Sequence, residues 1–260
     1  MEFEDILYHK KDGVAKIIIN RPQVYNAFRT KTVEELYRAF QDAEMDPRVG
    51  VVVLTGAGEK AFCAGGDVTE VVDGAGYTPE LLYWDVMLHR IIRFIPKPVI
   101  AAVNGICLGG GNVFATLCDI TIAAETARFG QVGPKVGSFD AGFGAAYLQR
   151  LVGAKRAREM WFLCRQYSAQ EALEMGLVNK VVPPDKLEEE VDHWCQELLA
   201  RSPTAIKFLK AAMNADSDAI HGIENIWEQA LQLYYQGQEA LEGRRAFMEK
   251  RKPDWDAFRK

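Results

Sequence analysis

The chain has little with which to hold a metal ion or build a disulfide framework. It contains four histidines, His9, His89, His193 and His221, with no metal-ligand spacing and no nearby cysteine. Its cysteines, Cys63, Cys107, Cys118, Cys164 and Cys195, are odd in number and form no Cys-x-x-Cys pair. They read as reduced thiols in a cytoplasmic protein. No Gly-Lys-Ser/Thr follows a glycine-rich turn, which excludes a P-loop, and no Gly-x-Ser-x-Gly elbow is present. Positive charge is also short: 31 Lys and Arg against 36 Asp and Glu give a net charge of -5. That balance argues against a general nucleic-acid binder. The opening residues, MEFEDILYHKKDG, are acidic and lack an apolar core, so no signal peptide is expected. Residues 99–118 are free of charge and long enough for a membrane span. Asn104, Gly105, Gly109, Gly110, Gly111 and Asn112 interrupt them and would leave polar groups in lipid. The run reads instead as a strand at 99–103, a turn, and a buried helix from about Gly110.

What is present describes a globular α/β chain. Apolar residues make up 48% and charged residues 26% of 260 positions, enough for a core without disulfide staples. Residues 14–20 and 49–54 read as strands, 32–44 and 80–95 as helices, and 119–124 as a further strand. From about residue 155 the pattern is almost wholly helical, broken by extended residues near Gly176 and Val181. This gives an α/β core over residues 1–195 and a helical region over 196–260. Charge is uneven along the chain. Residues 244–260 hold seven Lys/Arg and three Asp/Glu, a tail of +4 on a body of -9. Such a tail suits an anionic ligand, or is simply solvated.

Half of the 22 glycines fall in three segments that can carry chemistry. In Ala61-Phe62-Cys63-Ala64-Gly65-Gly66-Asp67, two glycines let the backbone approach a ligand and present N–H groups; an ordinary turn with a capping Asp67 reads equally from it. In residues 105–112 a strand runs through three glycines into a helix N-terminus, where free N–H groups favour an anion or a developing oxyanion. Close packing of helix on sheet is the alternative. The third is residues 129–144, FGQVGPKVGSFDAGFG. There Asp140 lies among Phe139, Ala141 and Phe143, which would desolvate it as a base, with Ser138 and Lys135 beside it. A turn aspartate bonded to its own backbone is the alternative.

These sites, in this order, resemble the crotonase (enoyl-CoA hydratase/isomerase) superfamily. The likeness rests on Asn20-Arg21-Pro22 with Asn26-Ala27-Phe28, the AFCAGGD segment, Lys97-Pro98-Val99 with the triple glycine, and Met175-Gly176-Leu177-Val178. It implies a spiral core of strand, strand and helix with a helical C-terminal trimerisation region. It implies that the N–H groups of Gly66 and Gly110 hold a thioester carbonyl as it becomes an enolate. It also implies an acyl-CoA substrate, no tightly bound cofactor, and a homotrimer or dimer of trimers. By the same likeness Arg29, Ala64 and Lys250 contact CoA.

The hydratases of the family use two glutamates, whose positions here are Val113 and Gly133. Neither can move a proton. Gly133 with Gly137-Ser138-Phe139-Asp140, residues 158–167 and the Lys250-Arg251-Lys252-Pro253-Asp254 tail instead resemble the 1,4-dihydroxy-2-naphthoyl-CoA synthases and 2-ketocyclohexanecarboxyl-CoA hydrolases. In synthases with glycine at the 133 position a bound bicarbonate replaces the carboxylate, which marks Gly133 and Gln131 as an anion site. The synthases carry basic residues after Gly-Gly-Asp, whereas this chain has Val68-Thr69-Glu70-Val71. The synthases usually have His after the triple glycine, and this chain has Asn112. Gln131-Val132-Gly133 also looks more like the hydrolase. The expectation is therefore ring opening of an alicyclic β-keto acyl-CoA. Asp140 serves as base, Ser138 orients it, and Tyr77 and Tyr235 reach the substrate, Tyr235 from a neighbouring subunit. Ring closure to a naphthoyl-CoA and a non-catalytic acyl-CoA-binding member remain the alternatives. An RNA-binding member is disfavoured by the acidity.

Overall fold

A computed structural model describes residues 2–70 and 77–259, with the backbone alone at Glu70. Val71 and the Glu70 side chain, two of the positions that separate this chain from the synthases, therefore lie outside what is described. The chain opens with a hairpin of β1 (Ile6–Lys11) and β2 (Val14–Ile19), paired antiparallel. Its two-residue turn, Asp12-Gly13, has both φ angles positive, as a tight hairpin requires. α1 (Thr30–Met45) follows, burying Val33, Leu36, Phe40 and Ala43 along one stripe.

Three turns of strand, strand and helix come next. The first is β3 (Val51–Gly56), β4 (Ala61–Cys63) and α2 (Pro79–Phe94). The second is β5 (Val99–Val103), β6 (Ile106–Leu108) and α3 (Gly110–Leu117). The third is β7 (Ile120–Ala124), β8 (Arg128–Gly130) and the single turn α4 (Gly133–Val136). In each turn the first strand joins one sheet and the second joins another. The spiral core expected from the resemblance is thus present.

A π-helical segment (Gly142–Tyr147) runs into α5 (Leu148–Val152) and α6 (Ala154–Leu163). Then come β9 (Gln166–Ser168), α7 (Ala169–Glu174) and β10 (Lys180–Val182). The six-stranded sheet has the order β1-β2-β3-β5-β7-β10 and is parallel except for the hairpin. The four-stranded sheet has the order β4-β6-β8-β9. Four helices close the chain: α8 (Leu187–Leu199), α9 (Pro203–Ala215), α10 (Ile220–Tyr235) and α11 (Gln238–Met248).

The central strand shows why the layers form. All six residues of β3 are buried, as both faces of a parallel strand under cover should be. Val52 and Leu54 join the main core with Phe40, Phe62 and Phe114. Val51 and Val53 face the other way, against Leu187, Val191 and Cys195 of α8. Each such side chain removed from water contributes about 1.5–3 kcal/mol. A third cluster decides where the site lies. Leu82 and Val86 of α2 pack with Trp227, Leu231 and Tyr235 of α10, so the C-terminal helices fold back onto the core.

Two expectations need correction. The 105–109 stretch is not turn alone, because β6 pairs with β4 and β8. Residues 129–144, whose six glycines and prolines read as one long shaped loop, are not a single loop. They contain the end of β8, α4 and the start of the π-helix, because Asp140 accepts the N–H groups of Gly142 and Gly144 and so starts a new helical segment.

Candidate active site

The two glycine turns abut. Gly65 and Gly109 both have positive φ, 97° and 54°, which glycine adopts without steric cost. A Cβ placed on Gly65 would lie 3.4 Å from the Gly110 nitrogen and 3.7 Å from the Gly109 Cα. Gly110 is the first residue of α3, so its N–H has no partner within the helix. Gly66 bridges Phe28, but that bridge uses the Gly65 carbonyl and the Asp67 N–H, not the Gly66 N–H. Side chains would obstruct both places. A Cβ on Gly66 would collide with the Tyr77 hydroxyl, and one on Gly110 would lie 2.5 Å from Phe28 Cε1. Asp67 beside them is structural: it accepts from Arg21 Nη2 at 2.9 Å and from the Thr69 N–H at 3.0 Å.

A cavity of about 510 Å³ opens over these turns. Gly66, Gly110, Ser138, Asp140, Tyr77 and Gln131 all belong to the site, and all but Tyr235 of the expected catalytic residues line the cavity directly. Tyr235 stands behind that wall: its hydroxyl lies 2.7 Å from the Oγ of Ser138, which lines the cavity. Its ring meets Tyr77 edge to face at 5.7 Å. Tyr235 therefore reaches the site within its own chain. The expectation that it comes from a neighbouring subunit is corrected, because α10 packs back on α2.

Asp140 is 8% exposed. Burial pushes its carboxyl up to about 6, while the charge of His89 and the N–H groups of Gly144 and Gly142 hold it from going higher. Those N–H bonds, 2.8 Å and 3.0 Å, also fix its orientation. Gly144 must lack a side chain, since a Cβ there would lie 2.5 Å from Asp140 Oδ2. The segment around Asp140 is pinned from three sides. Trp227 Nε1 donates to the Phe139 carbonyl, Trp161 Nε1 to the Gly144 carbonyl, and the Ser138 N–H to the Gly133 carbonyl.

Gly133 cannot carry a side chain in this backbone, because a Cβ would lie 2.6 Å from the Ser138 carbonyl oxygen. Val113, at the other hydratase glutamate position, is buried at the cavity wall. Gln131 is 1% exposed, and neither end of its side-chain amide has a hydrogen-bond partner among the described residues. Ala64 also lines the cavity. Arg29 and Lys250 do not: the Arg29 guanidinium is held by Asp5 and Glu4, and Lys250 is exposed past the end of α11.

A second set of polar residues in the cavity has no counterpart in the sequence reading. Asp85 and His89, one turn apart on the inner face of α2, both line it. His89 Nδ1 is 3.4 Å from Glu224 of α10, and Nε2 is 3.5 Å from Asp85. Burial pushes His89 down, but Asp85, Glu224 and Asp140 outweigh it and hold the imidazole at about 9. The only signal in the sequence is a polar pair four residues apart on an otherwise apolar face. Among the described residues no group of three or more His, Cys, Asp or Glu is placed to hold a metal ion. No described helix is long and apolar enough to cross a membrane.

Residues 9–258 match the family model described as enoyl-CoA hydratase/isomerase. The chain belongs to that family. Among solved structures, it is 30% identical to an enoyl-CoA hydratase from Mycobacterium avium subsp. paratuberculosis, with a TM-score of 0.89 over 97% of this chain and 99% of that one. It is 34% identical to a carnitinyl-CoA hydratase from Mycobacterium avium, TM-score 0.84, covering 97% and 98%. An enoyl-CoA hydratase from Bacillus anthracis is 35% identical, TM-score 0.76, covering 96% and 98%. As a member of the enoyl-CoA hydratase/isomerase family, the chain is an acyl-CoA-processing enzyme of the hydratase/isomerase type.

Proposed function

We propose that this enzyme hydrolyses a carbon–carbon bond, opening the ring of an alicyclic β-keto acyl-CoA of the 2-ketocyclohexanecarboxyl-CoA type. The observation that carries this reading is a buried carboxyl, Asp140, sharing a cavity with the two glycine turns where neither hydratase glutamate position holds a carboxylate. The backbone at Gly133 has no room for one. Hydration by a glutamate pair is disfavoured on the same ground, although the related structures carry hydratase names.

Asp140 takes a proton from water as its oxygen attacks the ring ketone. The resulting alkoxide collapses, breaking the bond between the former ketone carbon and the α-carbon. The electron pair passes into the thioester, giving an enolate whose oxygen is held by the Gly66 and Gly110 N–H groups. One such donor is worth about 3–4 kcal/mol of barrier. The proton returns from Asp140 to the α-carbon, leaving a dicarboxylic acid as its mono-CoA thioester. Ser138 and Tyr235, 2.7 Å apart, and Tyr77 above Gly66 position the ketone and the base.

A bicarbonate would fit at Gln131, whose buried amide has no partner among the described residues, beside Gly133. It would supply there a carboxylate-like acceptor, the group that hydratases carry on a side chain. CoA would be contacted by Ala64 and by the cations Arg29 and Lys250, and the assembly would be a trimer or a dimer of trimers. The cationic tail is partly neutralised within the chain, since Arg251 pairs with Glu242 and Glu249.

Replacing Asp140 by Asn tests the assignment of the base. The variant should lose about 100- to 10,000-fold in kcat while binding CoA as before. Turnover near the wild-type rate would remove Asp140 from the mechanism.

A further inference from the structure

Of the buried carboxyls lining the cavity, Asp140 is the base and Asp67 is held by Arg21 and Thr69, which leaves Asp85 without a role. Asp85 lies on α2 with 8% exposure and lines the same space as Asp140. Its Oδ1 has no hydrogen-bond partner among the described residues. The nearest charge is His89 Nε2 at 3.5 Å, an electrostatic neighbour without the geometry of a hydrogen bond. The amide of Gln131, on the β8–α4 connection, is likewise buried and unpartnered in the same cavity.

Asp85 is held from behind. His89 lies nearly parallel to Trp227, with ring centroids 6.1 Å apart and planes inclined by 22°, and it meets Phe114 and Phe143 edge-on. Its other nitrogen faces Glu224, which is fully buried and also faces Arg90 and His221. A row of charges thus runs from α10 through His89 to the Asp85 carboxyl, which lines the cavity. Leu82, Val113, Phe139 and Leu231 give the same cavity apolar walls. The thioester has its own donors at Gly66 and Gly110, and Asp140 is bonded to Gly142 and Gly144. Nothing in the reaction as written calls on Asp85.

We propose that Asp85 is a specificity-determining residue that accepts a hydrogen bond from a hydroxyl substituent of the acyl group, remote from the thioester. Its preferred ligands are then acyl-CoA thioesters bearing a hydroxy group on the acyl skeleton. This rests on the reading of the cavity as the acyl site. A purely hydrocarbon acyl group would press an unpaired carboxyl into an apolar wall. A site built to bond an oxygen rejects the analogue lacking it far more strongly than a greasy pocket rejects a missing methylene.

The test is a pair of dissociation constants, measured by calorimetry, for 4-hydroxycyclohexane-1-carbonyl-CoA and cyclohexane-1-carbonyl-CoA. The wild-type enzyme should bind the hydroxylated ligand at least about tenfold tighter. Asp85→Leu should bring the ratio to about one, by weakening the hydroxylated ligand and sparing or tightening the other. Asp85→Asn, which keeps a hydrogen-bonding side chain, should retain an intermediate preference. Asp85→Ala reads the same ratio should the leucine variant not fold. A wild-type ratio near one, or a preference that survives both Asp85→Leu and Asp85→Ala, overturns the proposal. Ring opening is read separately, from the mass of the products. If wild-type enzyme leaves the ketone intact but Asp85→Leu abolishes the preference, ring opening fails and the role of Asp85 stands.

Discussion

Asp140 is subject to two opposed influences, and their balance sets how the enzyme should respond to pH. Burial favours the neutral acid, while the His89 charge and two backbone N–H groups favour the carboxylate. The result is a group that titrates at about 6. A general base must be deprotonated, so kcat/KM should rise as pH climbs through about 6 and level off above it. Well below that value it should fall about tenfold per pH unit. A rate profile that is flat from pH 5 to pH 8 would separate catalysis from Asp140. The residue was legible in the sequence because its loop is unlike any other: glycines and a proline around a lone aspartate flanked by phenylalanines. Gly66 and Gly110 were legible for the same reason. Asp85, His89 and Glu224 were not. Each occupies an ordinary position on an amphipathic helix, and only the crossing of α2 and α10 brings them together. Tyr235 was recognised as a site residue, but the chain supplying it depends on how α10 packs, which no local pattern specifies.

The junction of α2 and α10 is the element on which the site most depends. It buries Leu82, Val86, Trp227 and Leu231 around His89. His89 is held at about 9 in the folded chain against an ordinary 6.5, so the folded state binds its proton more tightly than the unfolded one. The stabilisation, on the order of 3 kcal/mol, is complete below about pH 6.5 and is lost as pH rises through about 9. Urea unfolding at pH 6 and at pH 9.5 should show the loss in the wild-type protein. His89→Gln should flatten that dependence while lowering stability at pH 6. An equal drop in both proteins would place the titrating group elsewhere. The long elements were readable because their periodicities are strong, as in α1 and in continuous apolar β3. The π-helix at 142–147 was not, since its geometry comes from Asp140 gripping Gly142 and Gly144. Three-residue strands such as β6 and β9 carry too few positions to show a period.

At the scale of the whole molecule, the spiral places two glycine turns side by side and the C-terminal helices close the cavity from above. Those helices also leave large apolar side chains in the open: Phe208 and Met213 on α9, and Ile226 and Leu233 on α10, the last two about 70% exposed. Patches of this kind mark subunit contacts. Light scattering should give a mass three or six times that of the chain, and the double variant Ile226→Asp, Leu233→Asp should reduce it. A wild-type monomer would contradict the proposed trimer. The spiral was legible only through the resemblance that the ordered motifs carry, since periodicity alone gave an α/β chain. The ring-opening direction is not written in any one motif, since one enolate site can make or break the same bond. Mass spectrometry of the wild-type enzyme with 2-oxocyclohexane-1-carbonyl-CoA reads that direction. The account predicts a product heavier by one water, a ring-opened dicarboxylic mono-CoA thioester. Unchanged substrate, alongside o-succinylbenzoyl-CoA that loses one water, would contradict it and assign ring closure.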